Sequence, residues 1–160
     1  VNEEYNGSAW SEVTDYPTGT ESGSGLGTQT AALVAGGYTG SYVTTAFEYD
    51  GTNWTAANAI PVASGGGSEA GTQTAGMILG IYSNPADTAV ADTLQYDGTN
   101  FITDATLNTA RNSGAGQKGG AGTVAAAFLA GGISGSTYRA HTEEYSGVTT
   151  VAEAADIAFD

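Results

Sequence analysis

The sequence predicts an all-β chain built from repeated units of four antiparallel strands. Tyrosines that are followed two residues later by a glycine recur 44, 47 and 49 residues apart, at Tyr5, Tyr49, Tyr96 and Tyr145. A period in the forties is typical of stacked supersecondary units, which bury their apolar faces only against neighbouring units. The apolar runs are short and rich in small and branched residues, without the spacing of an amphipathic helix. Both observations favour strands throughout.

The repeat also places glycines upstream of Tyr49, Tyr96 and Tyr145, and an aromatic residue after the turns that follow Tyr5, Tyr49 and Tyr96. We expect these positions to be structural rather than catalytic. In order along the chain they are Gly36, Gly37, Tyr49, Gly51, Trp54, Gly80, Tyr96, Gly98, Phe101, Gly131, Gly132 and Tyr145.

The chain divides into a partial unit at 3–14 and three complete units at 15–58, 59–105 and 106–154, all in one array over 1–160. Residues 155–160 form either a tail or the start of a further unit. Each tyrosine-bearing strand runs into a hairpin turn, as at Asn6-Gly7, because asparagine and glycine both adopt positive φ at low cost.

The expected strands in the first complete unit cover 23–27, 30–37 and 42–49, with a fourth from residue 54. The second unit has strands at 65–71, 74–81, 89–96 and 100–105. The third has them at 114–120, 123–132, 139–145 and 148–152. A helical turn could intrude only over 84–91, where Pro85 follows a capping asparagine.

Composition excludes several function classes. Seventeen acidic residues against three basic ones give a formal charge of −14, which repels nucleic-acid backbones. There is no cysteine, so neither disulfides nor thiolate metal sites can form. No apolar run is long enough to span a membrane. We therefore expect no nucleic-acid partner, no membrane insertion and no cofactor.

The residues that could carry chemistry favour ordinary structural roles. His141 is the single histidine and cannot build a metal site without further ligands. Glu143 and Glu144 are neighbours in a strand and point to opposite faces, so we expect solvated positions rather than an acid pair. The Asp-Gly-Thr-Asn segments at 50–53 and 97–100 fit turn chemistry better than a calcium loop. The chain is predicted not to be an enzyme.

Loop tyrosines are the better candidates for contact with a partner. Tyr38, Tyr42, Tyr82 and Tyr138 lie in or beside the connections between the second and third strands of their units. Loops of this kind carry binding residues on a rigid scaffold. Tryptophans and the repeated tyrosines could also form a sugar-stacking platform, although their fixed place in the period favours the core.

The segments ALVAGGY…FEYDGTNW at 32–54 and FLAGGI…EEYSG at 128–147 resemble the Kelch repeat, one four-stranded blade of a β-propeller. LNTARNSGAG at 107–116 is similar to the segment that begins such a blade. The second unit lacks one glycine of the doublet, and the last unit lacks the tryptophan. The resemblance implies a Kelch-like propeller with about three complete blades and an incomplete N-terminal one. A ring of that kind is completed by more of the same chain or by further copies.

The Gly-Thr-Gln-Thr segments at 27–30 and 71–74 are similar to repeats in virion appendage proteins of tailed phages, especially marine ones. That resemblance implies a non-enzymatic structural or adhesion module of a tail or head fibre. Its partners would be other virion proteins, copies of itself or a host-surface glycan, and its location the extracellular virion. The alternative is a secreted, lectin-like carbohydrate-binding propeller.

Overall fold

The computed structural model describes residues 1–84, 86, 88–112, 120–146 and 153–157. Within these ranges the chain is all-β and contains no helix. The strands form three larger antiparallel sheets and two separate hairpins. The predicted all-β class is therefore confirmed.

The first hairpin and the first sheet follow each other along the chain. The hairpin joins β1 (Asn2–Tyr5) and β2 (Trp10–Val13). The sheet has the order β3-β4-β5-β6, with β3 (Ser24–Thr28), β4 (Ala31–Ala35), β5 (Ala46–Tyr49) and β6 (Trp54–Ala57). Sequential neighbours pair antiparallel throughout; turns of two and four residues connect β3 to β4 and β5 to β6, and a ten-residue loop connects β4 to β5.

The second sheet repeats this order with longer central strands. It contains β7 (Ser64–Gly65), β8 (Ser68–Thr72), β9 (Ala75–Ser83), β10 (Thr88–Tyr96) and β11 (Phe101–Asp104). β7 and β8 pair with different ends of β9, so they form one first strand interrupted at residues 66 and 67. Pro85 lies outside the described residues, and 88–91 belong to β10 rather than to a helical turn.

The third sheet has the order β12-β13-β16-β17. Its strands are β12 (Gly120–Thr123), β13 (Ala126–Ala130), β16 (Thr142–Ser146) and β17 (Glu153–Ile157), and a small hairpin joins β14 (Ile133–Ser134) to β15 (Thr137–Tyr138). The expected first strand at 114–120 overlaps β12 only at Gly120, and the rest of it lies outside the described residues. The fourth strand was expected at 148–152, which is also not described. β17 pairs with β16 at 153–157, so the third sheet includes residues 155–157.

The core lies between successive sheets. Leu33 and Ala35 of β4 pack with Ile78 and Leu94 of the second sheet. Side chains alternate along a strand, so the neighbours of Ile78 point the other way.

Met77 and Leu79, on the opposite face of β9, pack with Ala127 and Leu129 of the third sheet. β9 is therefore buried on both faces, as its continuous apolar run predicts. The first strands are also neighbours, because β8 contacts both β3 and β12. The three sheets thus stack face to face in chain order, with their first strands side by side.

Candidate functional site

Three of the four candidate contact tyrosines form one aromatic row. The ring centroids of Tyr38 and Tyr42 lie 5.3 Å apart with their planes 69° apart. Those of Tyr42 and Tyr82 lie 5.4 Å apart. Tyr38 is exposed, and the other two are half-buried. The row runs from the loop between β4 and β5 to the end of β9, so it spans two repeat units.

The backbone after β4 explains how the row forms. Tyr38 exchanges backbone hydrogen bonds with Glu21 on one side and is bridged to Tyr42 on the other. Gly37 donates from its backbone N–H to the carbonyl of Ser64 in the second unit. This bond joins the two units directly beneath the tyrosines, so the scaffold holds the rings in a fixed relation.

Tyr138 is placed differently. It lies on β15, opposite Ile133 of β14, and 74% of its surface is exposed. Ile133 takes the position that Tyr38 and Tyr82 hold after the glycine doublet in the other units. The third unit thus presents its tyrosine from the far side of a hairpin rather than next to β13.

The repeated tyrosines link each unit to the one before it. The Tyr49 hydroxyl donates to Glu4 Oε1 over 2.8 Å, and the Tyr96 hydroxyl donates to Glu48 Oε1 over the same distance. Both carboxylates belong to the residue before the preceding unit's tyrosine. These hydroxyl bonds explain why a tyrosine, and not another aromatic residue, recurs at this position.

The third tyrosine uses a different acceptor. Gln95 stands where Glu4 and Glu48 stand in the earlier units. The Tyr145 hydroxyl instead donates to Asp104 Oδ2 of β11 over 2.8 Å. The contact between units is kept although the carboxylate comes from another strand.

These hydroxyls are held protonated. Burial raises the pKa of Tyr96 to about 12, and its hydrogen bond to the Glu48 carboxylate adds to the rise. Burial likewise raises the pKa of Tyr145 to about 12, with Asp104 as the second cause. The hydrogen bond to Glu4 raises the pKa of Tyr49 first, and burial second. A neutral phenol is the form that donates to a carboxylate, so these tyrosines act as fixed donors and not as acids or bases.

Glutamines of the Gly-Thr-Gln-Thr segments make a second link that sequence reasoning missed. Gln73 Nε2 donates to the carbonyls of Ala32 (3.0 Å) and Tyr49 (2.9 Å) in the preceding sheet. Gln29 Nε2 reaches the carbonyl of Tyr5 and the Glu4 carboxylate over longer distances. The exact repetition of the Gly-Thr-Gln-Thr segment at 27–30 and 71–74 was the available signal.

The hairpin turns lie where the sequence predicts them, but their conformation differs. Four residues, not two, connect the paired strands, since Tyr49 lies opposite Trp54 and Tyr96 opposite Phe101. The turns are closed by side chains. Asp50 Oδ1 accepts from the backbone N–H groups of the residues two and three positions later, and Asp97 does the same in the next unit.

These backbone hydrogen bonds lower the pKa of both aspartates. Only the glycines Gly51 and Gly98, each with φ of 91°, take the left-handed conformation in these turns. The expectation of positive φ at both turn positions is therefore wrong, because the aspartate side chain, and not a left-handed first residue, reverses the chain.

The glycine doublets mark close approaches between units. A Cβ on Gly36 would lie 2.3 Å from the carbonyl oxygen of Ser64, and one on Gly80 would lie 2.3 Å from that of Arg111. Real side chains cannot occupy such space, so these positions require glycine. Gly132 is crowded within its own unit instead, since its Cβ would lie 2.9 Å from the carbonyl oxygen of Asn112.

The expectation for the glutamate pair is wrong for one residue. Glu143 is only 2% exposed and forms a buried ion pair with Arg111, while Glu144 is exposed as expected. Glu143 also accepts from the backbone N–H of Asn108 over 2.6 Å. Arg111 donates to the carbonyl oxygens of Gly131 and His141. The ion pair holds the segment before β12 against β13 and β16. The prediction that Glu143 and Glu144 point to opposite faces of the strand is confirmed.

An open cleft of about 390 Å³ lies between the β1–β2 hairpin and the first sheet. The residues that line it include Tyr5, Trp10, Tyr49 and Trp54. Tyr49 and Trp54 pack with ring centroids 4.8 Å apart, and Tyr5 and Trp10 with centroids 5.3 Å apart. Trp54 is half-buried and packs on the repeated tyrosine, as expected of a core position, whereas Trp10 is 65% exposed, so the core expectation is wrong for Trp10.

The described part of the chain contains no group of three or more His, Cys, Asp or Glu side chains that could hold a metal. Nor do the described ranges include a helix long and apolar enough to cross a membrane. The described residues provide contact surfaces and links between sheets.

No protein-family model matches the chain, and no curated protein is significantly similar to it. Among solved structures, 119 chains match. One of them, described as "Structure of YjhT", aligns with a TM-score of 0.72 at 13% sequence identity, over 91% of this chain and 48% of that one. This chain therefore spans about half the length of that structure. At this identity the likeness shows the fold alone, and it extends over nearly all of the present chain.

Proposed function

We propose that the three sheets and the first hairpin are blades of a Kelch-like β-propeller. The support is geometric: sheets of four strand positions stack face to face, and β8 contacts the first strands of both neighbouring sheets. Gly36 and Gly80 approach the following unit in the same way, and the Tyr49 and Tyr96 hydroxyls donate to the equivalent glutamate of the preceding unit. Stacked antiparallel sheets with adjacent first strands are the arrangement of propeller blades around an axis.

We further propose that the chain is a non-enzymatic structural or adhesion module of a tailed-phage virion appendage, such as a tail or head fibre. Its partners would be other virion proteins, copies of itself or a glycan on the host surface. The similarity of its Gly-Thr-Gln-Thr segments to phage appendage repeats supports this proposal. In the structure Gln73 of the second segment donates hydrogen bonds to the preceding unit, which is a structural role for the repeated glutamine.

The single observation that carries a contact role is the row Tyr38–Tyr42–Tyr82. Its rings lie on the scaffold at the junction of two units, and Tyr38 is 37% exposed. Aromatic rings on a rigid base lose little conformational entropy on binding and supply large contact areas. The row is therefore a suitable attachment surface.

The virion assignment has a direct test. Tailed-phage particles that encode this sequence should contain the chain after density-gradient purification. Gold-labelled antibodies raised against residues 1–160 should mark an appendage. Absence of the chain from purified particles would contradict a virion role, and labelling across the capsid lattice would contradict an appendage.

A secreted carbohydrate-binding module is the second candidate, and the same tyrosine row favours it because aromatic faces stack on sugar rings. On an array of bacterial polysaccharides, the wild-type chain should then bind saturably and Tyr42→Ala should lose that binding. Tyr138→Ala, on a separate hairpin, is the matched control. Binding that survives Tyr42→Ala would exclude the row as the sugar site.

A further inference from the structure

One position of the repeat, opposite the residue that follows the glycine doublet, carries a different side chain in each unit. The three pairs are Glu21 with Tyr38, Gly65 with Tyr82, and Asn112 with Ile133. The fold therefore accepts a carboxylate, a glycine or an amide at this position. Only the first unit combines a carboxylate with a tyrosine. Because the scaffold does not require a glutamate there, the charge of Glu21 is available for binding.

Glu21 extends the tyrosine row of its own unit. Glu21 and Tyr38 exchange both backbone hydrogen bonds, over 3.0 and 2.7 Å, and Tyr38 pairs in turn with Tyr42. Residues directly opposite each other in an antiparallel pair have their side chains on the same face, with Cβ atoms about 4.5–5.5 Å apart. The row therefore has a carboxylate at one end, beside Tyr38.

The rings of Tyr38 and Tyr42 meet at a steep angle. Their centroids lie 5.3 Å apart and their planes are 69° apart, so the two rings form a corner and not a flat platform. A compact cation can lie within about 6 Å of both ring centroids at once, where the negative face of each ring attracts it. Tyr38 is 37% exposed, so solvent reaches the row.

This corner is built where the first and second units join. A Cβ on Gly65 of the second unit would lie 3.3 Å from Cε1 of Tyr42, so the ring lies directly against that glycine. Ser22, the neighbour of Glu21, accepts the backbone N–H of Gly66 over 2.8 Å. Among the described residues Ser22 is also the one non-glycine residue with a positive φ, at 58°. Such a conformation persists where the surrounding structure fixes it, and it is common at binding sites. Both ends of the row are thus anchored by contacts present within these two units.

The charge around the row favours a cationic ligand. Residues 1–110 contain no Lys or Arg, and the whole chain carries a formal charge of −14. Within the described part of the chain, Glu21 makes no side-chain hydrogen bond and no ion pair. A field of this sign concentrates cations near the surface and repels anions. Acidic sugars are therefore poor ligands for this row.

We propose that Tyr38, Tyr42 and Glu21 bind an organic ammonium group carried by a surface glycan. The two rings present their negative faces to the cation, Glu21 supplies the opposite charge, and Tyr82 adds apolar contact for the rest of the ligand. The inference rests on the proposed function, because it names the chemistry of the glycan partner. Choline substituents and free amino sugars both bring such a group to a glycan.

The test is an NMR titration of the 160-residue chain with choline at low salt. We expect saturable binding with a Kd of about 1 mM or below. The methyl protons of choline should shift upfield, because they lie over the ring faces. The matched ligand is the neutral isostere of choline, in which a tert-butyl group replaces the trimethylammonium group. It should bind about 10-fold more weakly or less tightly still.

A second pair of ligands distinguishes the source of the ammonium group. Glucosamine oligomers carry primary ammonium groups, and their N-acetylated counterparts have the same rings without the charge. A preference for the charged member of the choline pair assigns the site to a quaternary ammonium group, and a preference within the glucosamine pair assigns it to an amino sugar. Either preference supports the proposal. Equal binding of the charged and neutral members in both pairs, or no binding of any of them, overturns it.

Two variants test the residues. Glu21→Gln should weaken choline binding about 3-fold or more and leave the neutral isostere unaffected. Tyr42→Ala should weaken choline binding about 10-fold. The matched controls are Glu144→Gln, which removes an exposed carboxylate from the third sheet, and Tyr138→Ala, which removes an exposed ring from a separate hairpin. Both controls should bind choline as the wild type does. Equal losses in Glu21→Gln and Glu144→Gln would overturn the role of Glu21.

The variants also keep the test decisive if one of them fails to fold. Glu21 is exposed, so Glu21→Gln should leave the fold intact even if Tyr42→Ala does not. A row that binds neutral and charged ligands alike would still be a contact surface, but it would not be an ammonium site. The virion labelling described above does not depend on any of these ligands, so failure of this inference and failure of the proposed function are distinguishable.

Discussion

The hydrogen bond between Tyr96 and Glu48 permits a quantitative test of how the units hold together. The Tyr96 ring is 2% exposed, and its hydroxyl lies 2.8 Å from Glu48 Oε1. A hydrogen bond to a charged group contributes about 1.5–3 kcal/mol when it is buried. Glu48 is only half-buried, so water competes for its carboxylate. We therefore expect Tyr96→Phe to lower the free energy of unfolding by about 1–2 kcal/mol, less than a fully buried bond would contribute.

The assay is urea unfolding of the wild type, Tyr96→Phe, Glu48→Gln and the double variant. The double-mutant cycle isolates the pair, and we expect a coupling energy of about 1 kcal/mol. Tyr5→Phe is the matched control, because it removes the same hydroxyl from the equivalent position of the exposed hairpin and should change stability by less than about 0.5 kcal/mol. A coupling energy indistinguishable from zero, or an equal loss in Tyr5→Phe, would refute the reasoning.

Three further predictions follow from the same contacts. Gln73→Ala removes two hydrogen bonds between units and should lower the free energy of unfolding in urea by about 1–3 kcal/mol. The bonds of Gln29 are longer and exposed, so Gln29→Ala should lower it by less than about 1 kcal/mol. Equal losses in the two variants would contradict the proposed link. Met77→Ala should cost about 2–5 kcal/mol and Phe128→Ala distinctly less, since Met77 is fully buried and Phe128 is 42% exposed, so only the first opens a cavity; the reverse order in thermal or urea unfolding would count against the burial described. At alkaline pH the raised phenol pKa values mean that the folded state favours the protonated tyrosines, so their contribution is complete below pH 10 and is lost as pH rises toward about 12. Unfolding followed at a fixed urea concentration from pH 8 to 12 should show that loss of stability. A stability that increases over this range would contradict the prediction.

Local patterns in the sequence are enough to predict most of the fold. The glycine two positions after each repeated tyrosine, preceded in two units by an aspartate, places the hairpin turns, because turn formation depends on a few adjacent residues. The apolar runs place β4, β9 and β13 for the same local reason. The exact strand ends were harder to predict in the third unit, where six residues separate β16 from β17 instead of the four that separate β5 from β6.

Contacts between distant residues could not be predicted in this way. Glu143 is buried because Arg111, 32 positions earlier, reaches it and because Asn108 donates to it. Nothing in the Glu-Glu pair itself distinguishes the buried carboxylate from the exposed one. The roles of the repeated glutamine and of the carboxylate before each tyrosine also depend on the neighbouring unit, so they follow only once the stacking is known.

The central claim is that each unit is held to its predecessor by a tyrosine hydroxyl on a carboxylate. Phenol titration by NMR, with carbon-13 in the tyrosine rings, measures this for each residue separately. Tyr96 and Tyr145 should titrate near pH 12 in the folded chain, and Glu48→Gln should lower the value for Tyr96 while leaving Tyr145 unchanged. If Tyr96 titrates near 10 in the folded wild type, or if Glu48→Gln shifts both tyrosines alike, the units are not joined in the way described.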